Sequence, residues 1–211
     1  MSIVCFLQRA ADQQLDQLLA KPVLIEPFLY GPDRDRHPVL AFVMLLMTRS
    51  PRVAWAMVLD KLGKPRPRRP RVELPPEWPE AKEEDELYLG QTWEGIHFML
   101  TGANQAGGDE PLCYLTRGGQ DIGEVDVGYG PARALKSGRV KAFAEALMGI
   151  SQDEFRRRFS AKEIVQAGIY PPHLGEEGEH DPDCLAGYFA KLKPFVTATA
   201  KAGLGLVVWL C

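Results

Sequence analysis

Apolar and polar positions are arranged along this chain in patterns that predict both strands and helices. The apolar runs near its two ends, over 3–9 and 204–210, each predict a strand. The second run is apolar almost throughout, which is typical of a central strand covered on both faces. Residues 124–129 alternate between apolar side chains and acids, and this predicts a half-buried strand.

Other segments repeat with the period of a helix. In 87–100 the residues Trp93, Ile96, His97 and Leu100 recur at the spacing of one buried stripe, and a glycine follows as a stop. The remaining predicted helices begin at the capping residues Ser137 and Ser151 or cover 12–19, 160–167 and about 183–202.

This order of elements predicts an α+β fold. We expect the N- and C-terminal strands to be neighbours in one small mixed sheet, with helices packed over it. A length of 211 residues suits a single domain over residues 1–211. The clearest interruption is a proline-rich, charged insertion or loop at about 62–86, whose first half is basic and second half acidic.

Charge and composition narrow the classes of protein to which the chain can belong. A net charge of −3 provides no general attraction for nucleic acid, and the basic stretch 64–71 is the one candidate for a nucleic-acid arm. The four cysteines are scattered, which argues against structural zinc and favours reduced thiols. Arg49, Pro51 and Arg52 interrupt the apolar window Val39–Leu59, which therefore predicts a buried helix. We expect a soluble, cytoplasmic protein with no membrane span, metal or cofactor.

Several strings, taken in order, resemble the YfbM-like family of bacterial proteins. Residues 93–102 (WEGIHFMLTG) resemble its W-x-x-(I/L)-H-F-x-L-T-G signature. Residues 128–133 (GYGPAR) resemble the family's own GYGPAR segment. Residues 150–159 and 169–171 resemble its helix and "YP" tail. The family is a domain of unknown function, so the resemblance implies a small α+β fold in a bacterial cytoplasm and no activity. Many relatives carry an Asp-Lys pair where this chain has Gly90-Gln91, so a chemical role of that lysine is not available here.

Within these strings a few residues could carry chemistry. His97 could act as a base or a metal ligand, or it could be a hydrogen-bonded core histidine. The GYGPAR segment lacks the third glycine of a dinucleotide-binding turn. It leaves either an anion-binding turn through Arg133 or a tight bend in which Arg133 pairs internally. Asp126 shares a strand face with Glu124, and the pair could bind a hard cation or simply be solvated.

Two functions from different classes follow. The favoured one is a non-catalytic binding or interaction protein with a protein partner, one version being an immunity-like factor that neutralises a toxin in the same cell. It rests on the absence of GxSxG, P-loop and HExxH motifs. The alternative is a small-molecule-binding protein or enzyme. Its pocket would be lined by Trp93, His97, Asp126, Tyr129 and Arg133.

Overall fold

The computed structural model describes residues 3–31, 72–79, 81–171 and 182–211, and these include one five-stranded sheet. In chain order the strands are β1 (Cys5–Ala10), β2 (Glu86–Gly90), β3 (Gln120–Asp126), β4 (Pro131–Leu135) and β5 (Gly205–Leu210). Their order across the sheet is β2-β1-β5-β4-β3, so the two terminal strands lie side by side. The predicted α+β fold, with both terminal strands in one sheet, is confirmed.

All four strand pairings are antiparallel, where the sequence led us to expect a mixed sheet. Strand direction depends on where each connection crosses the molecule, which hydrophobic patterning does not reveal. β1 and β5 pair from Cys5↔Leu210 to Ala10↔Gly205. Residues 205–209 are all buried, which confirms the prediction that the last strand is central.

Seven α-helices accompany the sheet in the described residues. They are α1 (Asp12–Ala20), α2 (Ile25–Tyr30), α3 (Trp93–Thr101), α4 (Ser137–Met148), α5 (Gln152–Arg157), α6 (Ala161–Ala167) and α7 (Pro182–Lys201), with 3-10 turns at Pro22–Leu24 and Glu83–Asp85. Two predicted boundaries are confirmed. Gly102 ends α3 in the left-handed conformation, and the Ser151 side chain accepts a hydrogen bond from Glu154 N at the start of α5.

The main core lies between one face of the sheet and helices α3, α4 and α7. Leu7, Leu135 and Val208 contribute to it from β1, β4 and β5. Farther from the sheet, the Phe155 ring of α5 stacks on the Phe189 ring of α7 with centroids 4.2 Å apart. Burying a large apolar side chain contributes about 1.5–3 kcal/mol, so this core accounts for much of the stability.

The boundaries of two predicted elements were wrong. Residues 87–90 were included in a helix, whereas Glu86–Gly90 forms β2 and the helix begins at Trp93. A short apolar run fits a buried strand and a helix equally well, and here the positive φ of Gly90 and the turn at 91–92 separate the two elements. The strand expected at 124–129 is β3 at 120–126, followed by a turn and the unpredicted strand β4.

Ser137 was expected to cap α4, but it is the first residue of that helix. The Asp12 carboxylate of α1 takes the capping role: its Oδ1 accepts from Ser137 N at 2.8 Å and its Oδ2 from Ser137 Oγ at 2.7 Å. A carboxylate at a helix N-terminus satisfies a free N–H group and interacts favourably with the helix dipole. A partner so far away in the sequence cannot be recognised from local residues.

The chain divides into two compact units, Met1–Pro22 with Pro79–Cys211, and Val23–Trp78. The first contains the sheet and every helix of the described residues except α2. Within the second, the Phe28 ring meets the Trp78 ring edge-on with centroids 5.6 Å apart.

Several predictions fall on residues outside the described ranges. These are the apolar window Val39–Leu59, the basic stretch 64–71 and the first part of the 62–86 insertion. In the described parts of the chain, no helix is long and apolar enough to cross a membrane.

Candidate functional site

The segment 102–119, which we call the recognition loop, connects α3 to β3 and contains no helix or strand. Connections longer than about 12–15 residues without secondary structure are uncommon in compact domains, and they are usually either functional or disordered. This loop is held in place by buried side chains of α3 and a half-buried side chain of β4, described below. We therefore built the candidate site from this loop outward.

His97 lies on α3 and is completely buried. Its Nε2 is 3.0 Å from Asn104 O, and its Nδ1 is 3.1 Å from Thr116 Oγ1. A carbonyl oxygen can only accept, so Nε2 carries the proton and Nδ1 accepts from the threonine hydroxyl. The imidazole thus joins the first half of the recognition loop to the second.

The surroundings of His97 favour its neutral imidazole. Burial lowers the pKa of His97 below its usual range, hydrogen bonds to the backbone of Asn104 and Gly107 partly offset this, and the charges of Arg117 and Arg133 lower it further. Of the two interpretations drawn from the sequence, the geometry corresponds to the hydrogen-bonded core histidine.

Glu94, one turn before His97, is a second polar anchor that the sequence reasoning missed. It is only 3% exposed. Its Oε1 accepts from Gln105 N and its Oε2 from Tyr170 N, both at 2.9 Å. The available signal was a single acid at the start of an otherwise apolar helix, since residues 93–100 are all buried.

Arg133 approaches the recognition loop from β4. Its guanidinium donates to the carbonyl oxygens of Tyr114 (3.3 Å), Leu115 (2.7 Å) and Gly118 (3.1 Å). Burial lowers the pKa of Arg133, while Cys5, Asp121 and Cys113 oppose that shift. These bonds match the tight-bend interpretation, in which the arginine pairs internally.

Glycines allow the loop to pass close to the sheet. Gly119 has φ +80°, and a Cβ there would lie 2.6 Å from Ala134 O of β4. Gly118 has φ +74°, and a Cβ there would lie 2.8 Å from the Tyr114 ring. Any larger residue would push the loop away from the strand on which Arg133 lies.

A surface ion pair fixes the outside of the same loop. Arg139 of α4 donates to both carboxylate oxygens of Glu110 at 2.7 Å, and Tyr114 Oη donates to Glu110 Oε2 at 2.9 Å. The hydrogen bonds from Arg139 and Tyr114 hold the pKa of Glu110 below its usual range. Arg117 also donates to Ala106 O, which connects the two halves of the loop at the surface.

Trp93 serves a different part of the structure. Its Nε1 donates to Ile3 O at 3.2 Å, and its ring stacks on Tyr170 with centroids 6.0 Å apart. Tyr170 Oη in turn accepts from Ile3 N at 2.7 Å. Trp93 therefore secures the start of the chain to the helix.

Asp126 is the last residue of β3, and Tyr129 lies in the turn that leads from it to β4. Asp126 Oδ1 accepts from Gly128 N at 2.9 Å and from Gly130 N at 3.2 Å, while Tyr129 N donates to Leu210 O. The Tyr129 side chain is 52% exposed. This arrangement uses Asp126 to shape the turn and presents Tyr129 to solvent.

The structure brings His97 and Arg133 onto one loop, and it places the other predicted site residues elsewhere. Asp126 pairs across the hairpin with Pro131, and Arg133 pairs with Asp121 farther along the same two strands. Trp93 faces the first residues of the chain, as described above. In the described ranges, no group of three or more histidine, cysteine or acidic side chains could hold a metal ion.

The outer surface of the recognition loop is polar and accessible. Its exposed residues are Gly102, Asn104, Gln105, Ala106, Asp109, Glu110 and Arg117. Chemically, these amides and charges can form hydrogen bonds and ion pairs with another molecule. The titratable groups behind them, Glu94, His97 and Arg133, are engaged with the loop itself.

Comparison with known proteins places this architecture in a family. A family model described as a domain of unknown function (DUF1877) matches residues 1–209. No curated protein matches the chain. The crystal structure of YfbM from Escherichia coli, a protein of unknown function, aligns over 99% of both chains with a TM-score of 0.54 and 15% identity. That identity establishes similarity of fold alone. With almost its whole length covered by the family model, the chain belongs to the DUF1877 family.

Proposed function

We propose that this protein is a non-catalytic, cytoplasmic binding protein that presents the recognition loop to a protein partner. The observation that carries the proposal is a set of polar anchors: the buried Glu94 and His97 and the half-buried Arg133 each bond to the backbone of one long loop. A buried polar group costs free energy unless it is bonded. Here those groups fix the conformation of an exposed segment.

A loop fixed before binding has a direct advantage for recognition. Ordering a flexible segment on binding opposes association, and a preformed loop avoids most of that entropic cost. The exposed side chains Asn104, Gln105 and Arg117 can then meet a partner in one defined arrangement. Binding residues are often found on loops that a rigid scaffold positions in this way.

A photo-crosslinking experiment tests this function. The crosslinking amino acid p-benzoylphenylalanine replaces Gln105 in the full chain, expressed in its own cellular background. Gln105 is suited to this because its backbone N–H makes the bond to Glu94 while its side chain is exposed. We expect a discrete covalent adduct with one protein.

The matched control carries the same crosslinker in place of Val165 on α6, where the side chain is 61% exposed and remote in sequence from the loop. Equal adducts at both positions, or none at position 105, would contradict the proposal. An immunity-like role is one specific form of this function. It adds the requirement that the captured partner be toxic to cells that lack the protein.

A further inference from the structure

We propose that His97 is an acid-sensitive pin of the recognition loop: protonation of its imidazole releases the two arms of the loop and withdraws the binding surface. The first arm is 102–110 and the second is 111–119. The effect on the loop follows from geometry, and its consequence for binding rests on the function proposed above. His97 contacts both arms, through Asn104 O and Thr116 Oγ1.

The neutral imidazole matches both of its partners. Nε2 donates to a carbonyl, and Nδ1 accepts from a hydroxyl. When Nδ1 gains a proton it can no longer accept, so the Thr116 hydroxyl must turn its own hydrogen toward Cys113 O, 3.3 Å away. This rearrangement keeps a hydrogen bond at each ring nitrogen, so the cost of protonation in the closed loop is that of burying a positive charge on a fully buried side chain.

The charges around His97 make a protonated ring more costly still. Arg117 of the second arm and Arg133 of β4 both repel a positive imidazole. Glu94, on the same helix, is the nearest acid in sequence, and its two oxygens are already bonded to the backbone N–H groups of Gln105 and Tyr170. A protonated His97 is more stable in an open loop, where water can solvate it.

The direction of the pH effect follows from linkage. The closed loop binds a proton on His97 less readily than the open loop does, because burial lowers the pKa of His97 from its ordinary 6.5. The stability of the closed loop is therefore complete above that ordinary value. It is lost as the pH falls below about 6.5 toward the lowered value.

Amide hydrogen exchange of the isolated protein, measured by NMR, tests this inference without any partner. The reporting amides are Gln105, Gly107, Thr116 and Arg117, which are bonded within the loop or to Glu94. Between about pH 7.5 and pH 5 we expect their protection factors to fall by up to about tenfold for each unit of pKa difference. The Leu7 amide in β1, which lies between β2 and β5, should keep its protection.

The matched variant is H97Q, because a glutamine amide can donate to Asn104 O and accept from Thr116 Oγ1 without titrating. Its loop protection should not change over this pH range. Titration of the His97 ring protons in the wild type provides a second measurement that requires no variant. It should coincide with the loss of protection.

Two results would overturn the inference: an identical pH profile in H97Q, or titration of His97 without any change in loop protection. Both are separate from the crosslinking result. A loop that opens with acid while no adduct forms at position 105 would leave the pin intact and reject the binding function.

Discussion

At the scale of single residues, Arg133 provides the sharpest test of how the recognition loop is held. In R133M a side chain of similar length remains, but three carbonyl oxygens lose a charged donor. Since each unsatisfied buried acceptor costs about 1–3 kcal/mol and some will find water, we expect a loss of about 2–4 kcal/mol in unfolding free energy. Urea denaturation measures it.

Two further variants complete this test: one separates the donor geometry of Arg133 from its charge, and the other is a surface control. R133K keeps the charge without the planar array of donors, so it should recover only part of the loss. R157M removes an exposed arginine of α5 and should change stability by less than about 0.5 kcal/mol. If R133M were as stable as R157M, Arg133 would not be an anchor.

The same scale shows what the sequence could predict about the site. The family resemblance and helical periodicity singled out His97, and its burial on the apolar stripe follows from its spacing with Trp93 and Leu100. Its partners, Asn104 and Thr116, lie in a loop without periodicity, so pattern alone could not assign them. Glu94 was missed because acids in a first helical turn are ordinarily solvated.

At the scale of elements, the β3–β4 hairpin contains one residue that shapes its turn, Asp126, and one whose side chain is exposed, Tyr129. D126A removes the carboxylate that accepts from Gly128 N and Gly130 N. Each hydrogen bond contributes about 0.5–1.5 kcal/mol net, so we expect the loss of both to cost about 1–3 kcal/mol. Y129A should change stability by less than about 0.5 kcal/mol, because its side chain is mostly solvated. Thermal unfolding of both variants, with D126N as a partial rescue, measures the difference. The reverse order would contradict this account of the turn.

Elements bounded by local signals were predicted well, and those bounded by distant contacts were not. Gly102 and Ser151 end or begin helices through their own backbone and side-chain chemistry. The start of α4, by contrast, is capped by Asp12 from α1. β4 was missed because its sequence, PARAL, has little strand propensity. Its partner β5 is also distant in the sequence, so no local pattern indicates the pairing.

At the scale of the whole molecule, the order of strands makes the C-terminus essential to the fold. β5 lies between β1 and β4, so the five-stranded sheet cannot form without residues 205–210. Removing residues 205–211 would take away Leu206, Val208 and Trp209, each buried and each contributing about 1.5–3 kcal/mol. The lost backbone pairing on both sides of β5 adds to this. Together these losses approach the 5–15 kcal/mol that an ordinary domain has in total.

We therefore expect the chain truncated before Gly205 to lack a cooperative unfolding transition by circular dichroism. Its amide NMR spectrum should show little dispersion. A truncation of Cys211 alone is the control, since it removes the backbone pair with Val4 but leaves all of β5 and should leave a folded protein. A cooperative transition in the longer truncation would mean that β1 with β2, and β3 with β4, form stable structure without the strand between them. In that case the pairing of β5 with β1 and β4 would not be required for a stable fold. The contact between the two terminal strands, which the sequence predicted, would then contribute little to the free energy of unfolding.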